Sequence, residues 1–135
     1  MRNITLDTGP ISRFLAEDKL PRLESLFEKI KKREIDGYIV SPVLAEVFKH
    51  LCIEKGKSFA EYTLISLLKN YPLQVIPPNV NLSLKAGSLK CRFRKKFSYI
   101  DCYVLAFALI HGYEVHTTEK NLPSIQKLKI ITYNY

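Results

Sequence analysis

Hydrophobic and polar positions along the chain follow two rhythms. Short runs at Ile4–Leu6, Tyr38–Val40, Leu73–Ile76, Glu114–Thr117 and Lys129–Thr132 read as strands. Longer stretches between them carry apolar residues at helical spacing. Leu20–Arg33 places Leu23, Leu26, Phe27 and Ile30 on one face with charges between. Ile11–Leu15 predicts a short helix after the Asp7-Thr8-Gly9-Pro10 turn, with Pro10 at its first position. Ser41-Pro42 opens a helix to about Ile53, with Ser41 as N-cap and Pro42 at N1. Ser58–Asn70, Asn81–Arg94 and Ser98–His111 complete the helices, the last ended by Gly112. The second strand is expected to follow a turn at Asp36-Gly37.

Strands separated by helices predict an α/β fold, with a parallel sheet of about five strands sandwiched between helices. In such sheets the strand carboxyl ends and the following helix N-termini share one edge. Sites lie there, where the strand order reverses. The length of 135 residues and 47% apolar content suit one domain over 1–135, with enough core to need no staples. There is no repeat, no low-complexity tract and no linker.

Charge changes the picture. The chain holds 21 Lys and Arg against 13 Asp and Glu, a formal +8. Residues 1–68 are nearly balanced, and the excess lies in 69–135, where only Asp101, Glu114 and Glu119 are acidic. Lys90, Arg92, Arg94, Lys95 and Lys96 cluster just before the Ser98–His111 helix. Such a surface is either a solvated face or a footprint for a phosphate backbone. Three cysteines without a C-x-x-C pair suit a reducing compartment. No basic-then-apolar leader begins the chain, and no apolar stretch reaches the ~20 residues of a membrane helix. The expected setting is therefore cytoplasmic, with no membrane.

Four acids stand out at the expected edge. Asp7 ends the first strand, where capping the next helix would by itself explain it. Glu46 lies one turn into the helix after the second strand, with Lys49 and His50 as alternative ion partners. Asp101 stands third after Ser98, as in a capping box. Glu119 follows the fourth strand, where it could be a plain loop acid. Together they form a set that repels itself unless a cation intervenes. Hard oxygen donors suit Mg²⁺ or Mn²⁺. An acidic metal centre inside a basic protein is what phosphodiester hydrolysis needs.

The segments Leu6-Asp7-Thr8-Gly9-Pro10, Ser41–Glu46, Asp101 in its Ala106/Ala108-bearing helix, and Thr117-Thr118-Glu119-Lys120-Asn121-Leu122 resemble, in order, the four motifs of PIN-domain nucleases. They are similar to the small single-domain VapC toxins of toxin–antitoxin pairs. The resemblance implies a Rossmann-like PIN domain and a Mg²⁺- or Mn²⁺-dependent endoribonuclease. It implies that Asp7, Glu46, Asp101 and Glu119 hold the metal, with Thr117 as supporting hydroxyl. It further implies a homodimer and a protein antitoxin. Two positions depart from the family pattern: Glu119 stands where Asp is usual, and Asn121 where a further acid is often found.

Within this reading Asp7 and Asp101 bind the first metal, Glu46 acts through water, and Arg94, Lys95 and Lys96 contact RNA phosphates. Two alternatives use the same residues: a non-catalytic RNA-binding module, indifferent to EDTA, and a metal-dependent phosphatase acting on small esters. Gly56-Lys57-Ser58 mimics the end of a P-loop, but Leu51 stands where that motif needs Gly. His116 reads as a partly buried strand histidine, and His50, His111 and His116 are not at mutual ligand spacing.

Overall fold

The alternation predicted from the pattern is realised as five strands and six helices among the described residues, 2–18, 20–120, 122 and 124–134 of a computed structural model. Their order is β1 (Arg2–Leu6), α1 (Thr8–Phe14), α2 (Pro21–Lys31), β2 (Ile35–Val40), α3 (Ser41–Lys55), α4 (Lys57–Asn70), β3 (Gln74–Ile76), α5 (Val80–Arg92), α6 (Tyr99–His111), β4 (Glu114–Thr117) and β5 (Ile130–Thr132). Every strand pair is parallel, and the sheet runs β3-β2-β1-β4-β5. The chain steps outward from β1 to β3, returns through α5 and α6, and adds β4 on the other side of β1. The order therefore reverses between β1 and β4.

Strand alternation sends successive side chains to opposite faces. Ile4 and Leu6 share a face with Ile35, Gly37 and Ile39 through the β1–β2 register. That face meets α2, because a Cβ on Gly37 would stand 3.2 Å from Ile30 Cδ1. Thr5, Tyr38 and Val115 take the other face, where the Tyr38 ring lies 5.8 Å from that of Phe107 on α6. Helices on both faces make the sheet a buried layer, with Ile4, Leu6, Ile39 and Val40 fully inaccessible.

Four local expectations are corrected. Asp36-Gly37 is not a turn before β2 but part of it; Gly37 belongs there because a side chain would collide with Leu73, 2.9 Å from the Cβ position. Pro10 is the third residue of α1, which starts at Thr8 directly after its cap Asp7. Ser41 is inside α3, and Val40 is its cap without a side-chain bond, because β2 runs into α3 with no intervening residue. Asn79 caps α5 through its side chain, one residue earlier than the spacing suggests. Gly56 joins α3 to α4, and Lys57 and Ser58 open α4, so the Gly56-Lys57-Ser58 segment follows a helix where a P-loop follows a strand.

Candidate functional site

The carboxyl edge at the β1/β4 reversal holds a cavity of about 310 Å³ whose lining includes all four singled-out acids, Asp7, Glu46, Asp101 and Glu119. They arrive from β1's end, α3, α6 and the segment after β4. Sheet order and helix starts, not sequence proximity, bring them together.

Asp7 is the most constrained. It is 7% exposed, and its backbone N–H donates to His116 O at 2.9 Å. Its Oδ1 accepts from Thr8 N–H at 2.8 Å, capping α1, while Oδ2 accepts from Thr117 Oγ1–H at 2.8 Å. Thr117 is fully buried and its Oγ1 also accepts from Glu119 N–H at 3.1 Å. Thr117 therefore does not line the cavity; it stands behind Asp7 and links it to the Glu119 segment. Burial, and then the neighbouring Asp101 and Glu46 charges, push the Asp7 carboxyl up to about 6 against the two hydrogen bonds that lower it. A carboxylate held in that state wants a positive neighbour.

Asp101 closes the capping box that its spacing predicts. Ser98 Oγ accepts from Asp101 N–H at 3.1 Å, and Asp101 Oδ2 accepts from Ser98 N–H at 3.0 Å. The cap and the cavity wall are the same side chain, with one carboxylate oxygen committed to the backbone and Oδ1 left over. Glu46 is half-buried and forms no ion pair with Lys49 or His50 among the described residues. The surface-pair explanation for Glu46 is thus removed. Glu119 is exposed at the mouth. Asn121 lies outside the described residues.

Other residues take part in ways their sequence position did not indicate. His50 lines the cavity, its Nδ1 bonded to Ser12 Oγ at 3.1 Å. Gly9 leaves room for Thr118, since a Cβ there would overlap the Thr118 hydroxyl. The buried Thr8 Oγ1 at the wall has no partner among the described residues, as a hydroxyl meant for a water or ligand would. His116 is buried more completely than its strand position suggests, at 1% exposure, and belongs to the α2 face instead of the cavity. Arg94, Lys95 and Lys96 are exposed in the turn leading to Ser98, and none of them lines the cavity.

The donor set fits a hard divalent cation: four carboxylates with hydroxyls beside them, and no sulfur. Among the described residues no three His, Cys, Asp or Glu side chains are already gathered closely enough to hold an ion. The acids face one cavity without closing on a common point, which is the arrangement that mutual repulsion favours.

A family model described as PIN domain matches residues 4–128. No curated protein sequence matches the chain. Among solved structures, the chain is similar to one from VapBC2 of Rickettsia felis bound to a DNA fragment from its promoter, with TM-score 0.77, 19% identity and 98% of each chain covered. It is similar to one from DNA-bound VapBC of Salmonella typhimurium, with TM-score 0.75, 17% identity and 98% of each chain covered. The Mycobacterium tuberculosis toxin VapC20, which cleaves the sarcin-ricin loop, gives TM-score 0.67 and 16% identity over 83% of this chain and 86% of that one.

Proposed function

The chain belongs to the PIN domain family, and from that premise we propose that residues 1–135 act as one endoribonuclease unit that uses Mg²⁺ or Mn²⁺ and serves as the toxin of a toxin–antitoxin pair. The observation that carries the reading is the convergence of Asp7, Glu46, Asp101 and Glu119 on one cavity at the strand reversal. Toxin–antitoxin assemblies among the similar structures support the biological role.

Asp7 and Asp101 are the residues that would hold the cation, with Glu46 and Glu119 completing the set. When bound, such a cation supplies Lewis acidity and lowers the pKa of a bound water. Thr117 fixes the rotamer of Asp7 by donating to Oδ2. Ser98 fixes Asp101 by donating to Oδ2, so that its other oxygen is the one available to the cavity. Glu46 forms no ion pair among the described residues and would be able to take the proton of a water attacking phosphorus. Arg94, Lys95 and Lys96, exposed just before Ser98, would hold the RNA backbone without neutralising the acids. The products implied by the family resemblance are a 5′-phosphate and a 3′-hydroxyl.

Protein partners have surfaces to use. Ile53, Tyr62 and Ile65 on α3 and α4 are exposed, as are Val80, Leu84 and Tyr99 on α5 and α6. We assign these to an antitoxin and to a second copy of the chain. Among the described residues no helix is long and apolar enough to cross a membrane. Cleavage of RNA with Mg²⁺ or Mn²⁺, lost with EDTA and in Asp101→Asn, tests the proposal. RNA binding without cleavage would leave a non-catalytic module, and turnover of a small phosphate ester but not RNA would make it a phosphatase.

A further inference from the structure

A second cavity, of about 330 Å³, lies on the α2 face of the sheet. Arg2 at the start of β1 and His116 on β4 both line it, and it shares no lining residue with the acidic cavity. Its charge does not come from the basic second half of the chain. Arg2, Arg22 and Lys29 all belong to the nearly balanced first half.

The arrangement on α2 is selective. Arg22, Ser25, Leu26 and Lys29 follow the i, i+3, i+4, i+7 spacing of one helix stripe, and all four line the cavity. The acids of the same helix, Glu24 and Glu28, do not line it, and Glu28 pairs outward with Lys32 at 3.8 Å. No Asp or Glu lines this cavity. Arg22 and Lys29 form no ion pair among the described residues.

Two of the cations are also held in place. The Arg22 guanidinium lies 4.8 Å from the centre of the Tyr133 ring. Arg2 Nε and one terminal nitrogen donate to Glu114 Oε1 at 3.0 and 2.9 Å, leaving its other terminal nitrogen uncommitted among the described residues. Beneath them His116 bonds Tyr133 Oη at 2.7 Å through Nδ1 and Glu114 Oε1 at 3.1 Å through Nε2. This buried chain fixes Tyr133, and Tyr133 in turn seats Arg22. Glu114 is already shared by Arg2, His116 and Lys129, and Arg22 and Lys29 have no carboxylate partner among the described residues.

From this we propose that the cavity between α2, β1, β4 and Tyr133 is a binding site for a phosphate dianion, free or as a monoester, distinct from the acidic cavity. The Arg22 guanidinium fork suits a pair of phosphate oxygens, and the uncommitted terminal nitrogen of Arg2 offers one further donor. Two cations without an ion pair among the described residues match a dianion better than a single carboxylate. The volume sits at the small end of ligand sites, with room beyond the phosphate for part of an organic group.

The test is equilibrium binding, in EDTA, of inorganic phosphate, of a 5′-mononucleotide, and of a 5′-hydroxyl dinucleotide whose only phosphate is a diester. The ring resonances of His116 and Tyr133 are followed by NMR in the unaltered chain. We expect both monoester-type probes to bind and to shift these rings, and the dinucleotide to bind at least tenfold more weakly. Equal affinity for phosphate and mononucleotide assigns the pocket to free phosphate; tighter mononucleotide binding assigns it to an ester. Combined Arg22→Gln and Lys29→Gln, both exposed, should weaken monoester binding at least tenfold while RNA cleavage persists. The charge-matched pair Lys57→Gln and Lys69→Gln on α4 should weaken it less than twofold. Absence of monoester binding, unshifted His116 and Tyr133 rings, equal binding of the diester, or equal losses in the two double variants would each overturn the proposal.

Discussion

Asp7 and Glu114 stand on neighbouring parallel strands, one at the carboxyl end of β1 and the other at the amino end of β4, and their surroundings move them in opposite directions. Burial raises both. At Asp7 the next strongest influences include two more acids, and the carboxyl rises to about 6. At Glu114 hydrogen bonds from Arg2, His116 and Lys129 outweigh burial and hold it at about 2. The amino edge is a completed charge network, whereas the carboxyl edge is an incomplete one. Acids placed together without partners lower stability, and such a gathering at a strand reversal is the pattern of a functional site.

The strongest way to break this comparison is to neutralise the incomplete edge. Asp7→Asn or Asp101→Asn should lower RNA cleavage at least a hundredfold, about 3 kcal/mol of transition-state stabilisation. Thermal melts of cation-free Asp7→Asn should show a Tm equal to or above that of the parent, because a repelled charge is gone. A large fall in Tm would make Asp7 a structural acid like Glu114.

Neutralising the completed edge should do the reverse. Glu114→Gln leaves Arg2 and Lys129 facing each other across a lost partner. We expect urea unfolding to show a loss of about 1–2 kcal/mol, the upper part of the shift being discounted because Arg2 and Lys129 are 45% and 68% exposed. Cleavage per folded molecule should stay within about twofold.

pH separates the two edges without mutation. Glu114 has a folded pKa below its unfolded one, so its stabilisation is present above about 4.5 and is lost as pH falls toward about 2. Asp7 has a folded pKa above its unfolded one, so its protonated form stabilises the fold below about 3.8 and that contribution is lost as pH rises through about 6. Cation-free protein should therefore be most stable near pH 4 to 5 in this part of the range. Glu114→Gln should flatten the acid limb, and Asp7→Asn the other.

Smaller effects sharpen the picture. Thr117→Val removes the hydroxyl that holds Asp7 and should reduce cleavage about tenfold at a cost of about 1 kcal/mol, with Thr117→Ser restoring both. Lys95→Gln with Lys96→Gln should raise KM a few-fold at low salt and leave kcat unchanged, the difference fading as salt rises.

The fold was legible because the strand and helix rhythms differ, and because Ser98, Asp101 and Gly112 mark α6 by chemistry that depends on neighbours in sequence. Asp36-Gly37 misled for a related reason. The dipeptide carries a turn signal, but Gly37 lies packed under Ile30 and Leu73, which only the folded chain brings near. The four acids could be found because each sits at the end of a strand or the start of a helix. The support around them could not. Ser12 and His50 are separated by 38 residues and Thr117 and Asp7 by 110, and no local pattern links such pairs. Thr117 was legible only through the family motif, which did not reveal that it acts from behind Asp7. The Glu114 network escaped notice because its members, Arg2, His116, Lys129 and Tyr133, meet only when β4 and β5 pair beside β1.

The central claim is that the incomplete edge is a cation-dependent catalytic centre, and cleavage of structured and unstructured RNA tests it most directly. The assay runs with Mg²⁺, with Mn²⁺ and with EDTA, using the parent chain beside Asp7→Asn and Asp101→Asn prepared identically. The account predicts cleavage by the parent with either cation, none with EDTA, and a loss of at least a hundredfold in both variants. Undiminished cleavage in EDTA, or equal cleavage by the parent and both variants, would contradict it.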